Sequence, residues 1–164
     1  MTFSPQLEAK FEKMLASYPA GRTRSAVIPM LLFAQDEIGQ VTNELVEEVA
    51  RRCGVTPLQV DEVVGYYSML HRERLGKYHI QVCTNISCLL VGGEELLEHA
   101  KERLGIGNKE VTPDGLFSLE EVECMGACSW APAVEVNYDF HHFVTPEKLD
   151  RLIEDLRHAR RNGG

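Results

Sequence analysis

Five cysteines stand in a sequence of 164 residues, and four of them fall into two close pairs. Four residues separate Cys83 from Cys88, three separate Cys124 from Cys128, and thirty-five lie between the pairs. The odd total, with nothing to suggest secretion, makes a disulfide framework a weak explanation. In a reducing compartment, cysteines grouped this way more often bind metal or carry redox chemistry. The lack of a Cys-x-x-Cys argues against a thioredoxin-type disulfide catalyst. Four thiolates suit zinc or an iron–sulfur cluster. Structural zinc sites most often use a two-residue gap inside a tight knuckle. Wider loops fit a larger, two-metal object, with one iron for each pair. On spacing alone, a zinc-stabilised interaction module stays open as the alternative.

The elements that must carry these cysteines follow from hydrophobic period and punctuation. Residues 1–75 read as four helices. Ser4 and Pro5 open the first, with the stripe Leu7, Phe11, Met14, Leu15 and Tyr18, and Pro19 stops it. The second spans about Ser25 to Ile38, with Pro29 in its first turn and Gly39 past its end. Thr42 caps the third, whose stripe runs from Leu45 to Cys53, and Gly54 ends it. Thr56, Pro57 and Gln59 form a capping box for the fourth, with Val55 stapled onto Val60.

The period then changes. Lys77–Cys83 alternates, with Tyr78, Ile80 and Val82 on one face, as a strand does. Ser87 is a candidate cap for a helix that runs on to Leu104. Gly105–Gly115 reads as a loop, Phe117–Glu123 as a second strand, and Ala133–Val136 with Phe140–Val144 as a hairpin around Asn137, Tyr138 and Asp139. Thr145 and Pro146 start a last helix, whose final turns carry Arg157, His158, Arg160 and Arg161 at the negative end of the dipole. The expected architecture is mixed α/β or α+β. A helical domain, residues 1–75, precedes a β-α-β-β-β-α domain, residues 76–164, of thioredoxin-like appearance. Strand, crossover helix and strand make a right-handed unit with parallel strands, adjacent or one apart.

Composition excludes several classes. Hydrophobic residues make up 44% and charged residues 26%, close to the globular average and far from disorder. The 17 Lys and Arg against 25 Asp and Glu leave a net charge of −8. So acidic a chain is a poor candidate for nucleic acid or anionic membrane. No apolar run approaches the roughly 18 residues that cross a bilayer. The first ten residues lack a charged region followed by an apolar one, so no signal peptide is visible. A soluble, cytosolic protein is expected.

In this layout both cysteine pairs sit at strand ends. Parallel strands bring those ends to one edge of the sheet, where open α/β sheets bind their ligands. The gap Thr84-Asn85-Ile86-Ser87 equals the first gap of plant-type ferredoxins, although the rest of their spacing does not follow. No Cys-x-His is present, which disfavours a Rieske centre. Four thiolates on an oxidised [2Fe–2S] core carry a formal charge of about −2. Amides at the helix start near Cys88, and the thinly shielded backbone at Gly126 and Ala127, are placed to offset it.

The strings GKYHIQVC, VCTNISC and VTPDGLFSLEEVECMGACSWAPAVEVN, with VTPLQVDEVVGYYSML in the helical part, resemble the thioredoxin-like [2Fe–2S] ferredoxin family. The likeness is to its branch in the E subunits of bacterial NADH-quinone oxidoreductase, respiratory complex I, and covers nearly the whole chain. The resemblance implies one [2Fe–2S] cluster on Cys83, Cys88, Cys124 and Cys128. It implies a tight pair with the flavoprotein (F) component of that complex, which carries FMN, the NADH site and a [4Fe–4S] cluster, and through it the rest of the peripheral arm. The chain then works as an electron carrier within a proton-translocating NADH:quinone oxidoreductase. It takes one electron from reduced FMN at the cytoplasmic face of the inner membrane, without touching the membrane itself. Related subunits occur in NAD-dependent formate dehydrogenases and NAD-linked hydrogenases. Gly92-Gly93 is a lone pair inside a helix with no nucleotide-binding pattern around it, so NADH and FMN are expected on the partner.

Other residues draw plainer readings. Cys53 lies on an apolar stripe and reads as core. His141 and His142 are adjacent on a strand and point to opposite faces, so they suit a surface better than one ion. His99 is expected in solvent, and Glu120, Glu121 and Glu123 on a solvated strand edge. Trp130 is open between shielding the cluster, meeting a partner and packing in the core. Tyr66, Tyr67, Met69 and Leu70 form an apolar group at the joint of the two halves, suited to interdomain core or to a partner.

Overall fold

The computed structural model describes the backbone of residues 1–162 and the side chains of residues 1–159. The Arg160 and Arg161 side chains expected at the last helix end lie outside the described residues. The chain divides into two compact units, Met1–Arg74 and Leu75–Gly164.

The first unit is helical: α1 (Pro5–Ala16), a 3-10 turn (Thr23–Ala26), α2 (Val27–Ile38), α3 (Asn43–Cys53) and α4 (Pro57–Tyr66). Its boundaries follow local chemistry. Ser4 and Thr42 each accept the N–H three residues on. Thr56 and Gln59 close the reciprocal capping box in front of α4. Gly39 and Gly54 end α2 and α3 in the left-handed region, where a Cβ is costly. The second helix begins two residues later than expected, after the 3-10 turn, which leaves Pro29 in the first turn, where no N–H is missed. The stripes converge on one core of Phe11, Met30, Leu31, Leu45, Val49 and Val60, all fully buried. Cys53 joins this core with its sulfur 3.5 Å from the Met30 sulfur. Burial pushes its thiol above the ordinary cysteine range and keeps it protonated.

The second unit runs β1 (Tyr78–Cys83), α5 (Ile86–Leu89), α6 (Gly93–Leu104), β2 (Glu110–Val111), β3 (Phe117–Val122), β4 (Val134–Val136), β5 (Asp139–His141) and α7 (Pro146–Asn162). Its five strands are ordered β2-β3-β1-β4-β5. Strands β1 and β3 are parallel neighbours in the register Tyr78↔Phe117 through Cys83↔Val122, and β4 pairs antiparallel with the other side of β1. Tyr78, Ile80 and Val82 face one way, as the alternation predicts. They pack with Phe117, Leu119, Val134 and Val136 against Leu96, Ala100, Leu149 and Ile153 of α6 and α7.

Four expectations change. The helix after β1 is two helices: Gly92 adopts φ 93° and breaks it, and Asn85, not Ser87, caps the first piece through the Ile86 N–H. The Gly105–Gly115 loop contains β2, too short to show a period, which pairs with β3 and turns β3 from an edge strand into an inner one. That is why Glu120 is buried, 6% exposed, rather than solvated. Its Oε2 lies 3.1 Å from His79 Nε2 and accepts a hydrogen bond from Gln81 Nε2, while His79 Nδ1 lies 2.8 Å from Ser118 Oγ. These polar groups share the sheet face opposite α6 and α7. The hairpin turn is confined to Asn137 and Tyr138, so Asp139 belongs to β5. His99, finally, is half-buried and pairs with Asp150 of α7 at 3.0 Å. Among the described residues, no helix is long and apolar enough to cross a membrane.

Candidate metal centre

The register of β1 on β3 dictates where the cysteines go. Cys83 is the last residue of β1, level with Val122, and Cys124 follows two residues later. Both turns therefore leave the sheet at the same rim. Beyond β1 the chain turns into α5, which carries Cys88, and beyond Cys124 it turns into a 3-10 segment, Cys128–Trp130.

Several hydrogen bonds stitch the two turns together. The Cys83 N–H donates to the Ala133 carbonyl at 3.2 Å and the Thr84 N–H to the Val122 carbonyl at 3.1 Å. Thr84 Oγ1 donates to Glu121 at 2.8 Å, and Asn85 Nδ2 to Glu123 at 3.1 Å. The acidic residues beside Cys124 thus tie one cysteine segment to the other. No sequence signal marks them for that role, because carboxylates on a strand most often face water.

The four sulfurs gather at this rim. Cys124 and Cys128 Sγ are 3.9 Å apart, and the Gly126 N–H, in a turn with φ 79°, points at the Cys124 sulfur at 3.4 Å. Cys83 Sγ lies 3.2 Å from the Glu123 carbonyl. Burial pushes the Cys88 thiol up to about 11, and the Cys83 and Cys128 sulfurs beside it push the same way, against a hydrogen bond from the Ala133 backbone. Cys83 and Cys88 are buried, whereas Cys124 and Cys128 are open to solvent.

The surroundings are small. Cys83 and Cys88 pack with Ala127 and Ala133, flanked by Val122, Met125 and Ala131, and the Ala131–Pro132 peptide is cis. Alanines and Gly126 thus stand closest to the sulfurs at this rim. Thiols grouped at one rim give up their protons when a metal cation binds, because its charge offsets that of the thiolates. The donor set therefore fits a four-thiolate iron–sulfur group.

A model of the thioredoxin-like [2Fe–2S] ferredoxins matches residues 11–157. The chain belongs to that family. Within the thioredoxin-like [2Fe–2S] ferredoxins it is 42% identical over 161 residues to an NADH-quinone oxidoreductase E subunit (E 2) of Rhizobium meliloti (strain 1021), covering 98% of this chain and 92% of that one. It is 43% identical over 162 residues to NADH-quinone oxidoreductase subunit 2 of Thermus thermophilus, covering 98% and 90%. The fold also matches the crystal structure of an NAD+-reducing [NiFe]-hydrogenase in its H2-reduced state, with a TM-score of 0.71 over 83% of this chain and 23% of that one. At 18% identity this is a likeness of fold alone.

Around the ferredoxin rim the surface is apolar. Ile86, Leu90 and Val91 are exposed on and just after α5, and Trp130, Phe140 and Phe143 beside the second turn. Trp130 is 48% exposed, so it is not core. It stacks on His142 with ring centroids 5.2 Å apart, and its carbonyl accepts the Phe143 N–H. His141 ends β5 half-buried, and burial lowers its pKa. The contacts of the two histidines thus lie with the hairpin and Trp130 and not with the sulfurs.

Proposed function

We propose that this chain is the [2Fe–2S] electron-transfer subunit of an NADH-quinone oxidoreductase, with Cys83, Cys88, Cys124 and Cys128 holding the cluster. The convergence of four sulfurs on one rim, in a member of a [2Fe–2S] family, carries this reading. When bound, the cluster supplies one-electron chemistry, here the acceptance of one electron from reduced FMN on the flavoprotein partner. That partner also holds the NADH site and a [4Fe–4S] cluster, and it joins this chain to the peripheral arm at the cytoplasmic face of the membrane. The identities of over 40% to quinone oxidoreductase subunits favour this assembly over a hydrogenase or formate dehydrogenase.

The chain's own residues do three things. The two turns hold the sulfurs, with Cys83 and Cys88 shut away from water and Cys124 and Cys128 at the surface. The Gly126 and Ala133 backbones aim hydrogen bonds at sulfur, which moderates the negative charge there. The exposed apolar residues Ile86, Leu90, Trp130 and Phe143 around the rim are of the kind that partner subunits cover, and in this reading they set the flavoprotein against the cysteines.

Iron and sulfide analysis with visible spectroscopy tests the reading. The aerobically purified chain is expected to be brown with about two irons and two sulfides. Cys124→Ser and Cys128→Ser are each expected to alter or abolish the visible bands and leave the far-ultraviolet helical signal in place. A colourless protein with one zinc, or unchanged bands in both variants, overturns the assignment.

A further inference from the structure

The helical unit has a cleft of its own, well away in sequence from any cysteine of the rim. It measures about 240 Å³ and lies between the start of α2 and α4. Ile28, Val55, Val63 and Tyr67 give it apolar walls, and Gln59 and Arg24 stand among its lining. Sites for cofactors or drug-sized molecules run from about 300 to 1,000 Å³. A smaller cleft takes one large side chain, as an interface anchor pocket does.

The charge around the cleft is specific. Arg22 and Arg24 are exposed, and neither guanidinium has a carboxylate partner among the described residues. Of the other arginines in this unit, Arg51 and Arg52 pair with Glu48, Arg52 with Glu8 as well, and Arg72 with Asp61, whereas Arg74, beside Gly39 and outside the cleft lining, also has no carboxylate partner among the described residues. In a chain of net charge −8, an unpaired arginine in the lining of an apolar slot, Arg24, with a second, Arg22, two residues before it in the chain, marks a place for an incoming carboxylate. The neighbouring row of α4 exposes more apolar surface, with Leu58 at 69% and Tyr66 at 82%. Arginine and aromatic residues around a one-residue pocket are the composition of a binding hot spot.

We infer that this cleft docks a segment of a partner subunit that inserts one apolar side chain between Ile28 and Val63 and presents carboxylates to Arg22 and Arg24. The inference rests on the subunit reading above and adds a second contact, in the helical unit, to the one at the cysteine rim. Two contacts on one partner assembly convert the second binding event into an intramolecular one, so each strengthens the other.

The test measures binding of the full, cluster-loaded chain to the purified peripheral arm lacking it. The double variant Arg22→Glu/Arg24→Glu changes only exposed side chains, so folding is not at stake. It is expected to bind at least about tenfold more weakly and to lose much of the salt dependence of the wild type, as charge reversal at a steered interface does. Val63→Trp fills the cleft and is expected to speed dissociation at unchanged visible spectrum and helicity. Wild-type affinity in both variants overturns the cleft assignment and leaves the subunit reading standing. Failure of the wild-type chain to bind the arm overturns both.

Discussion

The two units of this chain solve opposite problems. The helical unit buries a largely apolar core, in which Gln35 donates to the Met69 carbonyl and accepts the His71 N–H, and the rest of its polar work is done at the edge by caps and by the Glu8–Arg52–Glu48–Arg51 chain of ion pairs. The sheet unit is apolar only on the side of α6 and α7. Its other face carries His79, Gln81, Ser118 and Glu120 in one hydrogen-bonded row and leads at the rim to the cysteines. A packing core tolerates almost any shape that fills space. A metal centre needs four atoms in one place, and the structure meets that need by strand register rather than by bulk. Within the sheet unit, packing and chemistry thus sit on different faces.

The sharpest way to break this contrast is to cut each core once. Leu119 is fully buried on the inner strand β3, five residues before Cys124. Phe11 is fully buried in the helical core. Each alanine substitution is expected to cost about 3–5 kcal/mol. In thermal melts, Leu119→Ala is expected to lower the temperature at which visible absorption bleaches. Phe11→Ala is expected to lower the helical transition with less effect on bleaching. Equal bleaching shifts in the two variants contradict the division of labour.

A smaller effect sharpens the electrostatic side. Hydrogen bonds from Arg51, with Arg52 behind, hold Glu48 down to about 2 from the ordinary 4.5. A depressed carboxylate stabilises the fold above its unfolded value and loses that contribution as pH falls from 4.5 toward 2. Glu48→Gln is expected to cost on the order of 2 kcal/mol near neutral pH, after discounting the exposed Arg51. It is also expected to flatten the acid limb of a denaturation curve followed by circular dichroism. The smallest expected change is at the capping box, where Thr56→Ala removes a single acceptor at the start of α4 and costs about 1 kcal/mol in chemical denaturation.

Much of this architecture is legible in the sequence alone, and the parts that are not share a cause. Helix ends set by one residue's chemistry, such as Gly39, Gly54 and the Thr56–Gln59 box, are readable because the signal is local. The alternation of β1 and the pairing of cysteines across two strand ends are readable for the same reason. The break at Gly92 is signalled by the Gly92-Gly93 pair, but helical composition on both sides outweighs that signal in a reading by period. The strand β2 is hidden because two residues carry no period. Missing neighbours then mislead on charge: without β2, Glu120 reads as an edge residue, and without α7 laid along α6, His99 reads as free. The family resemblance supplies the nature of the metal group, which spacing alone leaves between zinc and iron. The clamp of Thr84 and Asn85 on Glu121 and Glu123 depends on two segments meeting in space, and no one-dimensional pattern encodes it.

The parallel pairing of β1 with β3 has a last consequence, one of parity. Successive side chains on a strand alternate between faces, so inserting or deleting one residue inside β1 would swing Cys83 to the helix side and drive Ile80 and Val82 out. The stretch from Leu104 to Leu116 obeys no such rule beyond its two-residue strand. Over evolutionary time, length can drift between the strands, but within them the count is locked to odd and even.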